Sequence, residues 1–313
     1  MAKEAQKTIV FKVSDNIKDQ MIEHYQDFVT GKPPYSIFQV KQYDCVITLY
    51  ESGKVMFQGI GADIEANMWK DLESHFNKRD IDNELKEKEE KLNNRMYYYN
   101  DAIGSDEVGT GDYFGPIIVT ATYVDKSTRK LLEDMKIMDS KKMTDEKIKR
   151  CAPIIMKKVP YVTFTLSNSK YNELHKKGFN MNKVKAILHN KVLYELSHKG
   201  HQYQRIIVDQ FTTPISYFKY LKEENINEKV TKITFLTKGE NAHLSVAAAS
   251  VISRFRFLEE MDNLSKKYNV TIPKGANEKV DEAGKQIVAR FGKEELNKIA
   301  KIDFKNTQKI LSK

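Results

Sequence analysis

The tract GSDEVGTGDYFGP, Gly104–Pro116, sets two adjacent carboxylates, Asp106 and Glu107, directly before a glycine-rich turn. Two further acids stand in comparable settings. Asp209 closes the apolar run RIIVD, and Glu240 follows KITFLTKG just before a helical stretch that begins near Asn241. Singly, each has an ordinary structural use: a turn, a strand-terminal cap, a residue favouring a helix N-terminus. Jointly, they mark three places where an apolar run ends. Four carboxylates drawn to one point repel one another and stay ionised only beside a cation. An all-oxygen donor set selects a hard ion, Mg2+ or Mn2+, over zinc. The chain has neither an HExxH motif nor paired CxxC spacings.

Neighbouring residues of a regular strand point to opposite faces. Asp106 and Glu107 are therefore expected where a strand ends and the backbone turns. Gly109 and Gly111 permit that turn, since glycine tolerates positive φ and exposes backbone N–H groups. Gly109, Thr110 and Gly111 thus become candidate contacts for a sugar-phosphate chain. Lys141 and Lys142, in DSKKM, are candidate phosphate contacts, and equally an ordinary solvated basic pair. His243, Ser250 and Arg254 lie near Glu240 in sequence, where core packing or a helix surface accounts for them equally well.

Several elements must position these groups. GPIIVTATYV, VPYVTFTLS, RIIVD and KITFL read as strands. Helix Asn182–Leu196 carries Val184, Leu188, Val192 and Leu196 in one row, and Leu244–Met261 has an alanine-rich face suited to close packing on a sheet. Upstream, residues 78–95 hold twelve charges, six of each sign, as expected of a solvated helical connector. The part before it has its own pattern: a strand at Thr8–Val13, a helix at Asp15–Phe28, and alternating segments within Tyr35–Tyr50. A turn at Glu51–Gly53, a returning strand Lys54–Gln58 and a helix Ala62–Phe76 complete it. That is an antiparallel sheet with two helices, an α+β pattern. Its aromatic and basic residues, among them Tyr35, Phe38, Lys41, Tyr43 and Lys54, suit a module that grips nucleic acid, although strand aromatics are more often core. The expected division is 1–80, a substrate-binding domain; 81–98, a charged connector; and 99–313, a catalytic domain.

Composition limits the partners. The chain has 313 residues, 40% hydrophobic and 30% charged, with a net charge of +9. A basic protein of this kind suits an acidic polymer, foremost nucleic acid, though charge alone does not specify it. No apolar run approaches the ~20 residues of a membrane span. The opening MAKEAQKTIVFKV lacks a long apolar signal region, and two distant cysteines, Cys45 and Cys151, fit a reducing compartment. A cytoplasmic monomer is expected.

The segments DEVGTGDYFGP, MDSKKMT (138–144), IIVDQF (206–211) and TKGENAHLSVAAASVISRF (237–255), with IPKGANEKVD and FKNTQKI, resemble the ribonuclease HII/HIII family, type 2 ribonucleases H. The resemblance covers most of 100–313. The hairpin LYESGKVMFQG resembles that of TATA-binding-protein-like domains, found at the N-terminus of the HIII branch. What it implies is an α/β ribonuclease H-like fold, a mixed sheet flanked by helices, behind an α+β TATA-binding-protein-like domain. It implies metal-binding and catalytic roles for Asp106, Glu107, Asp209 and Glu240, substrate contacts by Gly109, Thr110, Gly111 and Lys141, and two Mg2+ or Mn2+ ions. The implied reaction is hydrolysis of the RNA strand of an RNA–DNA hybrid, leaving 5′-phosphate and 3′-hydroxyl ends. Glu240 stands where relatives often carry Asp, which leaves an inner-shell or outer-shell role open. Gly-Thr-Gly replaces the Gly-Arg-Gly of the HII branch and points to the HIII branch. Incision at a single embedded ribonucleotide, and nucleic-acid binding without catalysis, are the competing expectations.

Overall fold

The computed structural model describes residues 7–42, 44–137, 143–237 and 239–312, and omits the side chains of 89–96 and 240. Two compact units result, Met1–Lys91 and Leu92–Lys313.

In the first unit, strands β1 (Lys7–Lys12), β2 (Val29–Gly31), β3 (Ser36–Gln42), β4 (Cys45–Tyr50) and β5 (Lys54–Gly59) form an antiparallel sheet of order β1-β5-β4-β3-β2. Alternation along β3 and β4 buries Phe38, Val40, Ile47 and Leu49 on one face. Helices α1 (Asp15–Tyr25) and α2 (Ala62–Asn77) cover that face, supplying Ile17, Met21, Tyr25, Ala66 and Trp69. The Glu51–Gly53 turn closes by a bond from the Gly53 N–H to the Tyr50 carbonyl, with Gly53 at φ 77°. The antiparallel sheet with two helices is the expected α+β layer. Expected helix Asp15–Phe28 stops at Tyr25 and tightens into a 3₁₀ turn over Gln26–Phe28. Helix α3 (Ile81–Tyr97) follows, and Ile81 and Leu85 join the first unit's core.

The second unit is built on strands β6 (Ala102–Val108), β7 (Ile117–Val124), β8 (Tyr161–Leu166), β9 (Arg205–Asp209) and β10 (Thr234–Leu236), in the order β10-β9-β6-β7-β8. Strands β10, β9 and β6 run parallel; β7 and β8 are antiparallel to their neighbours. Its helices are α4 (Lys126–Asp134), α5 (Asp145–Lys158), α6 (Asn168–Lys176), α7 (Met181–Ser197), α8 (Pro214–Glu223), α9 (Gly239–Ala242), α10 (Leu244–Tyr268), α11 (Glu278–Phe291), α12 (Leu296–Ile299) and α13 (Lys305–Leu311).

Helix α10 crosses β6 and β7 on one face, and α7 lies against β6, β7 and β8 on the other. Alanines 247, 248 and 249 are fully buried, so the alanine-rich face packs as expected. The contact is close. A Cβ at Gly104 would come within 2.3 Å of Ser245 Oγ and 2.7 Å of Val246 N. Sheet and helices together make the mixed, helix-flanked layer expected of the catalytic region.

Candidate active site

Strands β6 and β9 pair in parallel as far as Ser105 opposite Val208. The next residues are Asp106 and Asp209, side by side at the carboxyl end of the parallel set. Asp209 in turn pairs with Leu236 of β10, after which the chain turns into α9. Ligands of open α/β sheets bind at this edge, beyond the carboxyl ends of strands.

One expectation is corrected here. Strand β6 does not end at the carboxylates; its pairing with β7 continues through Asp106, Glu107 and Val108. The alternation of a strand therefore persists, and the two acids turn to opposite faces. Asp106 meets α10: the Ser250 hydroxyl donates to its carboxylate, and Ser253 Oγ donates to its carbonyl at 3.2 Å. Glu107 meets α7, pairing with Lys185 Nζ at 2.5 Å and His189 Nε2 at 2.8 Å. Both acids nonetheless border one cleft of about 360 Å³, with Gly109, Thr110, Gly111 and Asp209.

The electrostatics of the two differ. Burial pushes the Asp106 carboxyl well above its ordinary value, and the charges of Glu107 and Asp209 push the same way. The Ser250 hydroxyl and the Glu107 N–H, 2.8 Å from Asp106 Oδ1, oppose this only in part. Burial also disfavours ionised Glu107, but His189 and Lys185 outweigh it and bring this carboxyl down to about 2. Glu107 has Lys185 and His189 against it, whereas the partners described for the Asp106 carboxylate are a hydroxyl and an N–H. Among the described residues, which leave out the Glu240 side chain, no three His, Cys, Asp or Glu side chains stand together as a ready ligand set.

Asp209 is fixed by the Gly239 N–H, which donates to its Oδ1 at 2.8 Å. Glu240 follows in the first turn of α9, so its backbone adjoins this contact; its side chain lies outside the described residues. Lys141 and Lys142 also lie outside them. In the loop, Gly109 adopts φ 98°, and a Cβ there would fall 2.1 Å from the Pro116 carbonyl oxygen. At Gly111 nothing lies within 4 Å of a Cβ position, so its backbone faces open space. His243 caps α10: its Nδ1 accepts from the Ser245 N–H at 3.0 Å, and its Nε2 lies 3.0 Å from the Asn100 carbonyl.

The cleft is completed by Arg254, already noted near Glu240 in sequence, and by Lys274, which sequence reasoning passed over. Lys274 and Arg254 line it, and both pair with Asp145 at the start of α5, Arg254 at 2.7 Å. Behind Glu107, Ser105 Oγ lies 2.7 Å from His189 Nδ1. The i,i+4 spacing of Lys185 and His189 puts both on one side of α7 but does not signal which acid they meet.

A mixed five-stranded sheet flanked by helices, with carboxylates where the parallel pairing of its adjoining strands ends, is a ribonuclease H-like fold. Residues 103–307 match the family model described as ribonuclease HII, and residues 8–80 match a domain of unknown function, DUF3378. The chain is 40% identical to "Ribonuclease HIII" of Bacillus mycoides over 96% of its own length and 97% of that protein's. It is 41% identical to "Ribonuclease HIII" of Bacillus licheniformis, with 96% of each covered. The solved structure of Bst-RNase HIII in complex with Mn2+ superposes with a TM-score of 0.67 at 38% identity, covering 97% of this chain and 98% of that one. The chain belongs to the ribonuclease HIII family and is an endoribonuclease of the type 2 ribonuclease H class.

Proposed function

We propose that Asp106, Glu107, Asp209 and Glu240 hold the divalent ions with which this enzyme hydrolyses the RNA strand of RNA–DNA hybrids, leaving 5′-phosphate and 3′-hydroxyl ends. The observation that carries the assignment is the buried Asp106 carboxylate set beside Asp209 at adjoining strand ends. Burial and like charge raise its proton affinity, and a bound cation relieves both. Oxygen-only donors fit Mg2+ or Mn2+, and the solved Bst-RNase HIII structure contains Mn2+. Two such ions, when bound, supply an activated water and neutralise the charge that develops on the departing 3′ oxygen.

The protein's own residues do the rest. Asp106 and Asp209 present oxygens to the cleft, the second held in place by the Gly239 N–H. Glu107, which already lines the cleft, would hold a metal ion there by giving up part of its pairing with Lys185 and His189. The Gly109-Thr110-Gly111 backbone approaches the 2′-hydroxyl, the group that separates RNA from DNA. One such bond is worth about 1 kcal/mol net, so strand choice needs several successive riboses. Arg254 and Lys274, on the cleft wall, meet flanking phosphates, and Lys141 is a further candidate phosphate contact. The first domain, 1–80, grips the hybrid through the sheet face opposite α1 and α2, ahead of connector 81–98 and catalytic domain 99–313. The protein works as a cytoplasmic monomer; Cys45 and Cys151 are free and buried, and among the described residues no helix is long and apolar enough to cross a membrane.

Cleavage assays decide this reading. A continuous hybrid, a duplex with one embedded ribonucleotide, and duplex RNA are offered with Mg2+ or Mn2+. Metal-dependent cutting of the continuous hybrid alone is expected. Efficient incision at the single ribonucleotide would instead place the specificity with the HII branch.

A further inference from the structure

The loop that approaches the ribose is anchored from far along the chain. Lys301 has no exposed surface. Its Nζ donates to the carbonyls of Asp112 and Gly115, each at 2.7 Å. A lysine is almost never fully buried without firm partners, because burying an ammonium is costly. Burial brings its pKa down to about 7, against the opposing charges of Asp112 and Asp303. Here the partners are backbone oxygens of a single turn, which no apolar side chain would satisfy.

The same turn is tied at further points. Phe114 forms an antiparallel bridge with Ala300; the Lys301 N–H donates to the Tyr113 carbonyl at 2.9 Å and the Gly115 N–H to the Ile299 carbonyl at 3.0 Å. Asn168 Nδ2 donates to the Gly115 carbonyl as well, at 2.8 Å. The outer part of the loop, Gly109–Asp112, faces the cleft.

We infer that Lys301 is a positioning residue that sets the height of the Gly109–Gly111 backbone against the ribose. The inference rests on the reading of that loop as the substrate-contacting segment. Lys301 does not line the cleft; it acts through the carbonyls at the base of the loop. Its removal frees the loop while leaving Asp106 and Asp209 on their strands, so substrate affinity changes and metal affinity does not.

The test compares Lys301→Met with the wild-type full-length enzyme. Hybrid cleavage kinetics are combined with Mn2+ calorimetry and amide hydrogen exchange. Expected are a KM for hybrid raised by about tenfold, a kcat at saturating hybrid within about threefold of wild type, unchanged Mn2+ affinity, and faster exchange across 109–115 but not in β6 or β7. A wild-type KM, or a fall in kcat together with lost Mn2+ binding, overturns the inference. Should the methionine variant fold poorly, Asn168→Ala, which removes the second donor to Gly115, is expected to raise KM by about threefold at constant kcat; an unchanged KM there also overturns it. Failure of the wild-type enzyme to cut hybrid would instead refute the reading of the loop.

Discussion

Replacing Asp106 with Asn separates the two effects of that carboxylate. Without metal, Asp106 is a charge in the wrong place: buried, and repelled by the charges of Glu107 and Asp209. Two unit charges ~6 Å apart at an effective dielectric near 20 repel by about 3 kcal/mol. Glu107 is already paired with Lys185 and hydrogen-bonded to His189, so relief of one repulsion is the fair measure. Asparagine keeps an oxygen for the Glu107 N–H, and a rearranged bond to Ser250 costs about 1 kcal/mol. The net is about 2 kcal/mol in favour of the variant. That is a rise of about 4–8 °C in the melting of the second unit, given roughly 2–4 °C per kcal/mol at this size.

Metal reverses the order. At free Mn2+ about 100 times its dissociation constant, the wild-type protein gains about 2.7 kcal/mol, and the variant, having lost a central ligand, gains little. Hybrid cleavage falls by about a thousandfold or more, equivalent to about 4 kcal/mol of transition-state stabilisation. Calorimetric melts with EDTA and with Mn2+, read beside cleavage rates, test all three outcomes. A variant that melts below wild type in EDTA, or that gains the full Mn2+ increment, would refute the reasoning.

Lys274→Ala is expected to weaken hybrid binding by about three- to tenfold and to make the slope of log K against log salt shallower by about 1; fluorescence titrations at several salt concentrations measure both. His243 is held neutral by burial, which brings its pKa to about 4 from 6.5. The unfolded chain takes up its proton first, so this stability is complete above pH 6.5 and declines toward pH 4, by about 3 kcal/mol in all; urea unfolding across that range should be flatter in His243→Gln, and equal slopes would contradict it. Gly104→Ala drives a methyl into the Ser245 hydroxyl and α10 backbone and is expected to cost about 3 kcal/mol, seen as a lower urea midpoint; an unchanged midpoint would show that α10 yields freely.

What the sequence disclosed follows from what periodicity records. RIIVD reads as a buried strand because both its faces are covered, and its apolar run ends where the structure ends it, at Asp209. The alanine-rich stretch announces close packing, and the structure extends that helix to Tyr268 because its remaining turns cover Tyr113 and Phe114. The glycines of the loop are equally plain, since only Gly109 fits its backbone. Partners are another matter. Periodicity shows that a residue is buried, not what it meets, so nothing in KVKAILHNK signals that Lys185 and His189 reach Glu107, nor does KIAKIDF signal that Lys301 holds the loop.

The pair Asp106–Glu107 shows why this matters. The expectation that a strand must end to bring both acids to one site treated the site as lying on a single face. The sheet instead stops on one side only: β9 departs after Asp209 while β7 continues to pair with β6. The cleft opens at that notch, and two adjacent residues of an unbroken strand both border it. Each acid then takes partners from its own helix, Ser250 from α10 and Lys185 with His189 from α7. The difference in their proton affinities is thus a consequence of strand alternation, written into two neighbouring letters of the sequence and made visible only by the helices on either side.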